Sequence, residues 1–356
     1  MPDTRNTFIR KWWPVPVIGA IAGSLLLAFA WSAGWVGDRV TAKAFVNASP
    51  TFPPGFRRAH GKGLCYAATF RPTEAGRALS RARAFSQAEV PVVGRFSVGS
   101  GNPFATDDSS KVISMALLMT TDDQQQWRMA MNNQPFFATH NAEGFLALQK
   151  ATAPDPATGK PDPERLAQFL TQYPEAKKFL ERARQAPAPG SYAGVNFNGI
   201  NAFYLTSEHG NRVPVRWSLR AHDSFKERDP QAGPDYLFQD LKDKLANTPL
   251  YWDFVLQVAQ PGDPVDDPSQ PWPENRQQVV AGTVEVTAVS DQATGACRDV
   301  NFDPTILPAG VEVSNDPILS ARSAAYSRSF NLREREIGYG QATEAVGRPV
   351  EPRSAP

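Results

Sequence analysis

Apolar residues recur along this chain at two different spacings. Val213, Val215, Trp217 and Leu219 step over mostly polar neighbours, as do Leu250, Trp252, Phe254, Leu256 and Val258, and residues 280–288 follow the same rule. A period of two turns every second side chain to one face, so each stretch predicts a half-buried strand. Residues 64–70, 90–98 and 112–119 are shorter apolar runs that also read as strands. His209-Gly210-Asn211, between strand candidates at 202–206 and 213–219, predicts a hairpin turn. A helical spacing runs over 73–85, 141–150, 163–185 and 236–247, with the proline-rich loop 153–163 between the second and third. Alternating strands joined by short turns, with inserted and flanking helices, predict an α+β domain built on an antiparallel sheet or closed β-barrel.

The N-terminus has a different character. Arg5, Arg10 and Lys11 precede an apolar run from Val15 to about Val36, with Trp12, Trp13 and Trp35 where interfacial aromatics would lie. It reads as a transmembrane anchor, or as a signal peptide with its core at 15–29 and its end near Ala28-Phe29-Ala30. Either reading expects the rest of the chain on the periplasmic side of a bacterial inner membrane, anchored or released. No twin-arginine pair precedes the run, so export of an unfolded chain that takes its cofactor afterwards is expected. The chain divides into residues 1–38, a cytoplasmic stub with the anchor or signal peptide; 39–54, a linker; 55–345, one soluble domain; and 346–356, a loose tail.

Composition narrows this further. A net charge of +1 offers no broad field for nucleic acid, and none is expected as a partner. Thirty-two prolines and 25 glycines favour loops and turns over a helical bundle. Cys65 and Cys297 match no metal-binding spacing and are either free thiols or one disulfide.

The densest chemistry lies in residues 316–333, DPILSARSAAYSRSFNLR. Asp316 can cap a helix begun by Pro317, and 3.6 residues per turn puts Arg322, Tyr326, Phe330 and Arg333 on one face. A guanidinium one turn from a phenol favours the phenolate, a usable axial ligand for ferric haem iron, and a second arginine suits a haem propionate. The same pattern also describes an ordinary half-buried ring beside solvated charge. His60 stands in Phe56-Arg-Arg-Ala-His-Gly-Lys-Gly63, where a histidine is commonly a solvated loop residue. Facing a peroxide, its neutral imidazole would carry a proton from one oxygen to the other. Asn132-Asn133-Gln134-Pro135-Phe136-Phe137 reads as a turn before a buried aromatic pair, and a carboxamide there can orient a peroxide without acting as a base. Ser97, after Arg95-Phe96, can fix the tautomer of an imidazole.

Taken in order, Arg57-Arg-Ala-His60-Gly-Lys-Gly63, Arg95-Phe-Ser97, Asn132-Asn133-Gln-Pro-Phe-Phe137 and Arg322-Ser-Ala-Ala-Tyr326 with Arg333 resemble the motifs of haem catalases. Gln270-Pro271-Trp272-Pro273, after Asp266-Asp267-Pro268, is similar to their small catalase-related peroxidase branch. The resemblance covers about residues 50–340 and implies a catalase-like antiparallel β-barrel with haem b buried against it. It implies His60 as the distal acid/base, Asn133 as the group that holds peroxide, and Tyr326 as the axial iron ligand with Arg322 hydrogen-bonded to its phenolate. It further implies that Ser97 orients His60, that Arg57, Arg95 and Arg333 meet the propionates, and that Phe136 or Phe137 lines the distal pocket. The expected activity is a peroxidase that reduces hydrogen peroxide or organic hydroperoxides with electrons from an unidentified donor. Catalase proper, a haem hydroperoxide isomerase and non-catalytic haem binding are the alternatives. A homo-oligomer, and the membrane through the N-terminal segment, complete the expected partners.

Overall fold

The computed structural model describes residues 14–32, 40–48, 53–155 and 158–340. The expected cytoplasmic stub before Pro14 and the loose tail therefore lie outside the described residues. Residues 1–41 and 42–356 form two compact units. In the first, α1 (Pro14–Ser32) is exposed along nearly its whole length and is long and apolar enough to cross a membrane. The second opens with α2 (Ala42–Ala48), a helix inside the stretch expected to be a linker.

Then follow β1 (Gly63–Pro72), α3 (Glu74–Leu79), α4 (Arg83–Ser86), β2 (Val90–Val98), β3 (Ile113–Thr120), β4 (Gln126–Asn132), α5 (Ala142–Thr152), α6 (Pro163–Gln172), α7 (Ala176–Gln185), β5 (Phe197–Asn198), β6 (Phe203–Thr206), β7 (Arg212–Ala221), α8 (Tyr236–Leu245), β8 (Leu250–Val258), β9 (Gln278–Asp291), β10 (Val311–Val313) and α9 (Pro317–Gly338). Every strand pairing is antiparallel, and the order β1–β2–β3–β4–β5–β7–β8–β9 returns to β1. Eight strands thus close a barrel, with β6 laid on β7 and β10 on β6. Closure removes the exposed edges that an open sheet would carry.

Alternation decides what fills it. Tyr66, Phe96, Met115, Trp127, Trp217 and Phe254 point inward and join one apolar core. Trp127 stands edge-on to Phe254 and Trp217, at centroid distances of 5.7 and 5.5 Å. The Tyr66 hydroxyl crosses to donate to the Ala116 carbonyl at 3.0 Å. Its path runs over Gly94, where a Cβ would lie 2.0 Å from the phenol ring. Only glycine fits there.

Two expected helices differ, and one long strand is additional. The helix expected over 73–85 is two short ones, because the Arg81 N–H is drawn to the Thr206 carbonyl and that of Ala82 to the Ser80 hydroxyl. The helix expected over 163–185 breaks ahead of α7 at Pro174, which has no N–H to continue the ladder. Strand β4 was not expected at all, although Trp127, Met129 and Met131 alternate inward along it.

The loop before β9 braces the start of α9. The Arg216 guanidinium donates to the carbonyls of Gln270, Asp267 and Pro264 at 2.8, 2.9 and 3.3 Å and lies 4.6 Å from the Trp272 ring centroid. Asp266 in that loop accepts from the Asn315 N–H at 2.9 Å. The Gln-Pro-Trp-Pro stretch therefore has a structural place.

Candidate active site

The outward faces of β1 to β4 carry a different set of side chains. Registers align Cys65 with Arg95 and Arg95 with Ala116, and align Ser97 with Ser114 and Ser114 with Asn132. Ala116 and Ala130 are small, which leaves room above the sheet. Tyr326 of α9 packs against this face beside Ala116, Leu118 and Ala130. Asp316 starts α9 by accepting the Ile318 N–H at 2.8 Å, with Pro317 at the first position, where a missing N–H loses nothing. The loop that carries His60 is tied to the same helix. The Gly55 N–H donates to Glu336 at 2.8 Å, Arg58 makes an ion pair with Glu336, and the Arg58 N–H reaches the Ser329 hydroxyl at 3.4 Å. His60 and Tyr326 thus share one frame.

His60 has a left-handed backbone, φ 56°, which is unfavourable for a residue with a Cβ and is held by its neighbours. The Gly61 N–H donates to the Ser100 carbonyl at 2.7 Å, and the Arg95 guanidinium donates to the carbonyls of His60 and Gly61 at 2.8 and 3.2 Å. Arg95 reaches them past Gly63, where a Cβ would sit 2.5 Å from the guanidinium carbon. Ser97 Oγ lies 3.4 Å from His60 Nδ1, which brings that expected pair together. His60 is set deep among protein atoms but is only half-buried as a residue. Burial, then the positive charges of Arg95, Arg322 and Arg57, lower its pKa from 6.5 to about 4 against a smaller opposing effect of the Val98 backbone. The imidazole is therefore neutral at pH 7.

Arg57, Arg95 and Arg333 lie close enough for their charges to act on one another. Arg57 is pushed well below its ordinary value by burial, then by the charges of Arg95 and Arg333; Arg95 falls to about 10, by burial first and with Arg333 contributing. The hydrogen bonds of Arg57 go to backbone carbonyls alone: Val300 at 2.9 Å, Cys297 at 3.1 Å and Arg298 at 3.4 Å. Arg95 adds Gln292 Oε1 at 2.6 Å. Neither meets a carboxylate among the described residues. Arg333 pairs through Nη2 with the neighbouring Glu334 at 3.1 Å, but the buried Nε atoms of Arg95 and Arg333 have no partner among the described residues. Buried cations that repel one another and keep unused donors call for an anionic group, since a buried charge is costly until it is paired. With a half-open phenol and a neutral imidazole in the same frame, this donor set fits a haem with two propionates.

Behind Tyr326 runs a polar chain that sequence reasoning missed. Arg322 lies with its guanidinium carbon 5.8 Å from the Tyr326 ring centroid. It donates to Asn201 Oδ1 and, at 2.8 Å, to the Ala130 carbonyl, rather than to the Tyr326 hydroxyl as expected. Asn201 Nδ2 in turn donates to Asp316 at 2.7 Å. Burial raises Asp316 to about 6, opposed by that bond, by the Ile318 N–H and by Arg216 and Arg322. The residue that caps α9 thus also fixes its arginine.

Asn133 and the two phenylalanines need correction. Both ends of the Asn133 carboxamide are spent on the backbone of the β3 end, accepting from the Ile113 N–H at 3.3 Å and donating to the Lys111 carbonyl at 2.9 Å. Asn132 is the residue in register with Ser114 and, through it, with Ser97. Its Oδ1 accepts from the Gln134 N–H at 2.8 Å, and its Nδ2 makes no hydrogen bond among the described residues. Strand parity would have found it: with Trp127, Met129 and Met131 inward, Asn132 must face outward. Phe136 packs on Phe179 of α7, and Phe137 on Phe145 of α5, at centroid distances of 6.2 and 4.8 Å. Their contacts are with the helical layer.

With this geometry in hand, comparison with known proteins is direct. The family model "Catalase" matches residues 55–339. A catalase-related peroxidase of Synechococcus elongatus is 35% identical over 340 residues, covering 94% of this chain and 99% of the relative. One from Mycolicibacterium paratuberculosis is 34% identical over 285 residues, covering 79% and 90%. Among solved structures, catalase A of Saccharomyces cerevisiae superposes with a TM-score of 0.70 at 20% identity over 82% of this chain, and a fungal catalase with 0.71 at 18% over 88%. The chain spans 63% and 65% of those two, just under two thirds of their length. Barrel, motif order and sequence identity agree: this chain belongs to the catalase family.

Proposed function

We propose that the chain is a haem b peroxidase that reduces hydrogen peroxide or an organic hydroperoxide with electrons from an external donor. The observation that carries this reading is the donor set of one enclosed site: a strained, neutral His60 against Ser97, Arg57 and Arg95 with no carboxylate partner among the described residues, Arg333 beside them, and Tyr326 on the facing helix. Tyr326 would be the axial ligand, and Arg57, Arg95 and Arg333 would hold the propionates. When bound, the haem supplies the redox chemistry of O–O cleavage.

The residues of the chain handle the proton and the substrate. With Nδ1 engaged by Ser97, His60 presents Nε2 to the peroxide, takes the proton of the attacking oxygen and returns it to the leaving one, which departs as water or an alcohol. Asn132 Nδ2 donates to the peroxide and orients it without competing for the proton. Arg322, fixed through Asn201 and Asp316, keeps positive charge over Tyr326 and favours its phenolate. The N-terminal helix would anchor the enzyme to the bacterial inner membrane with the haem domain on the periplasmic side. A disulfide between Cys65 and Cys297 supports an oxidising compartment.

The test is His60→Ala in haem-loaded protein. Haem should stay bound while the rate of reaction with peroxide falls about 10²- to 10⁴-fold; equal rates would contradict the mechanism. In the parent, the rate should hold as pH falls from 7 to 5 and decline only as His60 is protonated near pH 4, because its pKa is depressed below the free value of 6.5. An acid limb centred at 6.5 would show that His60 is solvated.

A further inference from the structure

The Cys65–Cys297 disulfide lies in the wall of the site. Its cysteines are 1% and 0% exposed and, with Phe302, form a small core against which Val93, Ala116, Val300 and Tyr326 pack. Cys65 stands on β1 in register with Arg95, and Cys297 lies in the turn-rich segment 291–300 that follows β9. That segment supplies acceptors to two of the three arginines. Cys297, Arg298 and Val300 offer their carbonyls to Arg57, and Gln292 offers its side-chain oxygen to Arg95.

The segment's other bonds are mostly to itself. Ala293 N–H donates to Asp291 Oδ1, Gly295 N–H to the Asp291 carbonyl, Arg298 N–H to that of Gly295 and Val300 N–H to that of Cys297. These shape turns, and only Asp291, in register with Leu64 at the end of the β1–β9 ladder, pairs the segment directly with β1. Gly295 packs onto Cys65 so closely that a Cβ would fall 2.8 Å from the Cys65 Cβ. Without the disulfide, the part of the segment beyond Asp291 would be held to the site chiefly by the same arginines whose positions it determines, and those arginines repel one another.

We propose that the Cys65–Cys297 disulfide is a positioning element of the cofactor site: by fixing segment 291–300 on β1 it places the carbonyls that hold Arg57, and with Gln292 it places Arg95, so that tight haem binding requires the oxidised pair. The inference rests on the haem-binding reading above. It makes cofactor loading follow disulfide formation.

The experiment is a titration of full-length apoprotein with ferric protoporphyrin IX, followed by Soret absorbance, for the parent, Cys65→Ala/Cys297→Val, Arg57→Ala and the combination, with circular dichroism to establish that each is folded. The cysteine variant should bind haem roughly ten-fold more weakly, a usual size for loss of a supporting contact at such a site. In the Arg57→Ala background the same cysteine changes should cost less, because the part of their effect that runs through Arg57 is already lost and only the placement of Arg95 through Gln292 remains. Unchanged affinity in the folded cysteine variant, or an equal loss with and without Arg57, would overturn the proposal. Should that variant fail to fold, Gln292→Ala, which leaves the disulfide intact, decides: weaker haem binding supports the placement of Arg95 by this segment, and parental affinity overturns it. A parent that bound no haem would instead remove the proposed function, and this inference with it.

Discussion

The two faces of strands β1 to β4 are built by alternate residues of the same segments, yet they differ in almost every physical respect. Inward, Tyr66, Phe96, Met115 and Trp127 are at most 2% exposed, with Tyr66 packed on the ring of Phe96 and Trp127 on those of Trp217 and Phe254. Each contributes about 1.5–3 kcal/mol by leaving water. Outward, Arg95 and Ser97 are nearly as buried, at 4% each, but the surroundings are charged and Arg95 keeps an unused donor. Burying such a guanidinium costs several kcal/mol before pairing. The barrel interior provides the stability that lets the outer wall hold unfavourable charge in place. A strand can serve both ends because its side chains alternate.

The largest expected effect breaks the inner face. Trp127→Ala should cost about 3–5 kcal/mol in denaturant unfolding, while the molecules that remain folded keep the parental affinity for haem. A variant of unchanged stability that had lost haem would mean the two faces are not separable. The next effect is smaller and belongs to the outer wall. Asn132→Ala should slow reaction with peroxide about ten-fold, the value of one hydrogen bond to a reacting group, and cost about 0.5–1.5 kcal/mol of stability for the one bond it takes from the Gln134 N–H. Asn133→Ala should cost more stability, about 1–3 kcal/mol for its two backbone hydrogen bonds, while the reaction is spared. If Asn133 proved the more damaging to the reaction, the assignment of the two asparagines would be inverted.

Much of this was legible in the sequence. Local rules placed α9, since the Asp316-Pro317 start and the four-residue step from Arg322 to Tyr326 depend on neighbouring residues only. The strands of the second half were equally clear, because a period of two needs no partner to be visible. What could not be read was set by distant chain. The acceptors of Arg57 are backbone carbonyls, which carry no residue signature, and Asn201 reaches Arg322 across 121 positions. The pairing of two cysteines 232 residues apart depends on how the barrel closes. The break at Pro174 and the parity of Asn132 were readable, but each required a strand or helix boundary to be drawn first.

The central claim is that the outer wall of β1 to β4, closed by α9, holds a haem through Tyr326. Its most direct test is the absorption spectrum of full-length protein titrated with ferric protoporphyrin IX, for the parent and for Tyr326→Phe. The account predicts a saturable Soret band for the parent, with phenolate-ligated ferric haem, and a changed spectrum with much weaker binding for Tyr326→Phe. The same spectrum and the same affinity in both would contradict it.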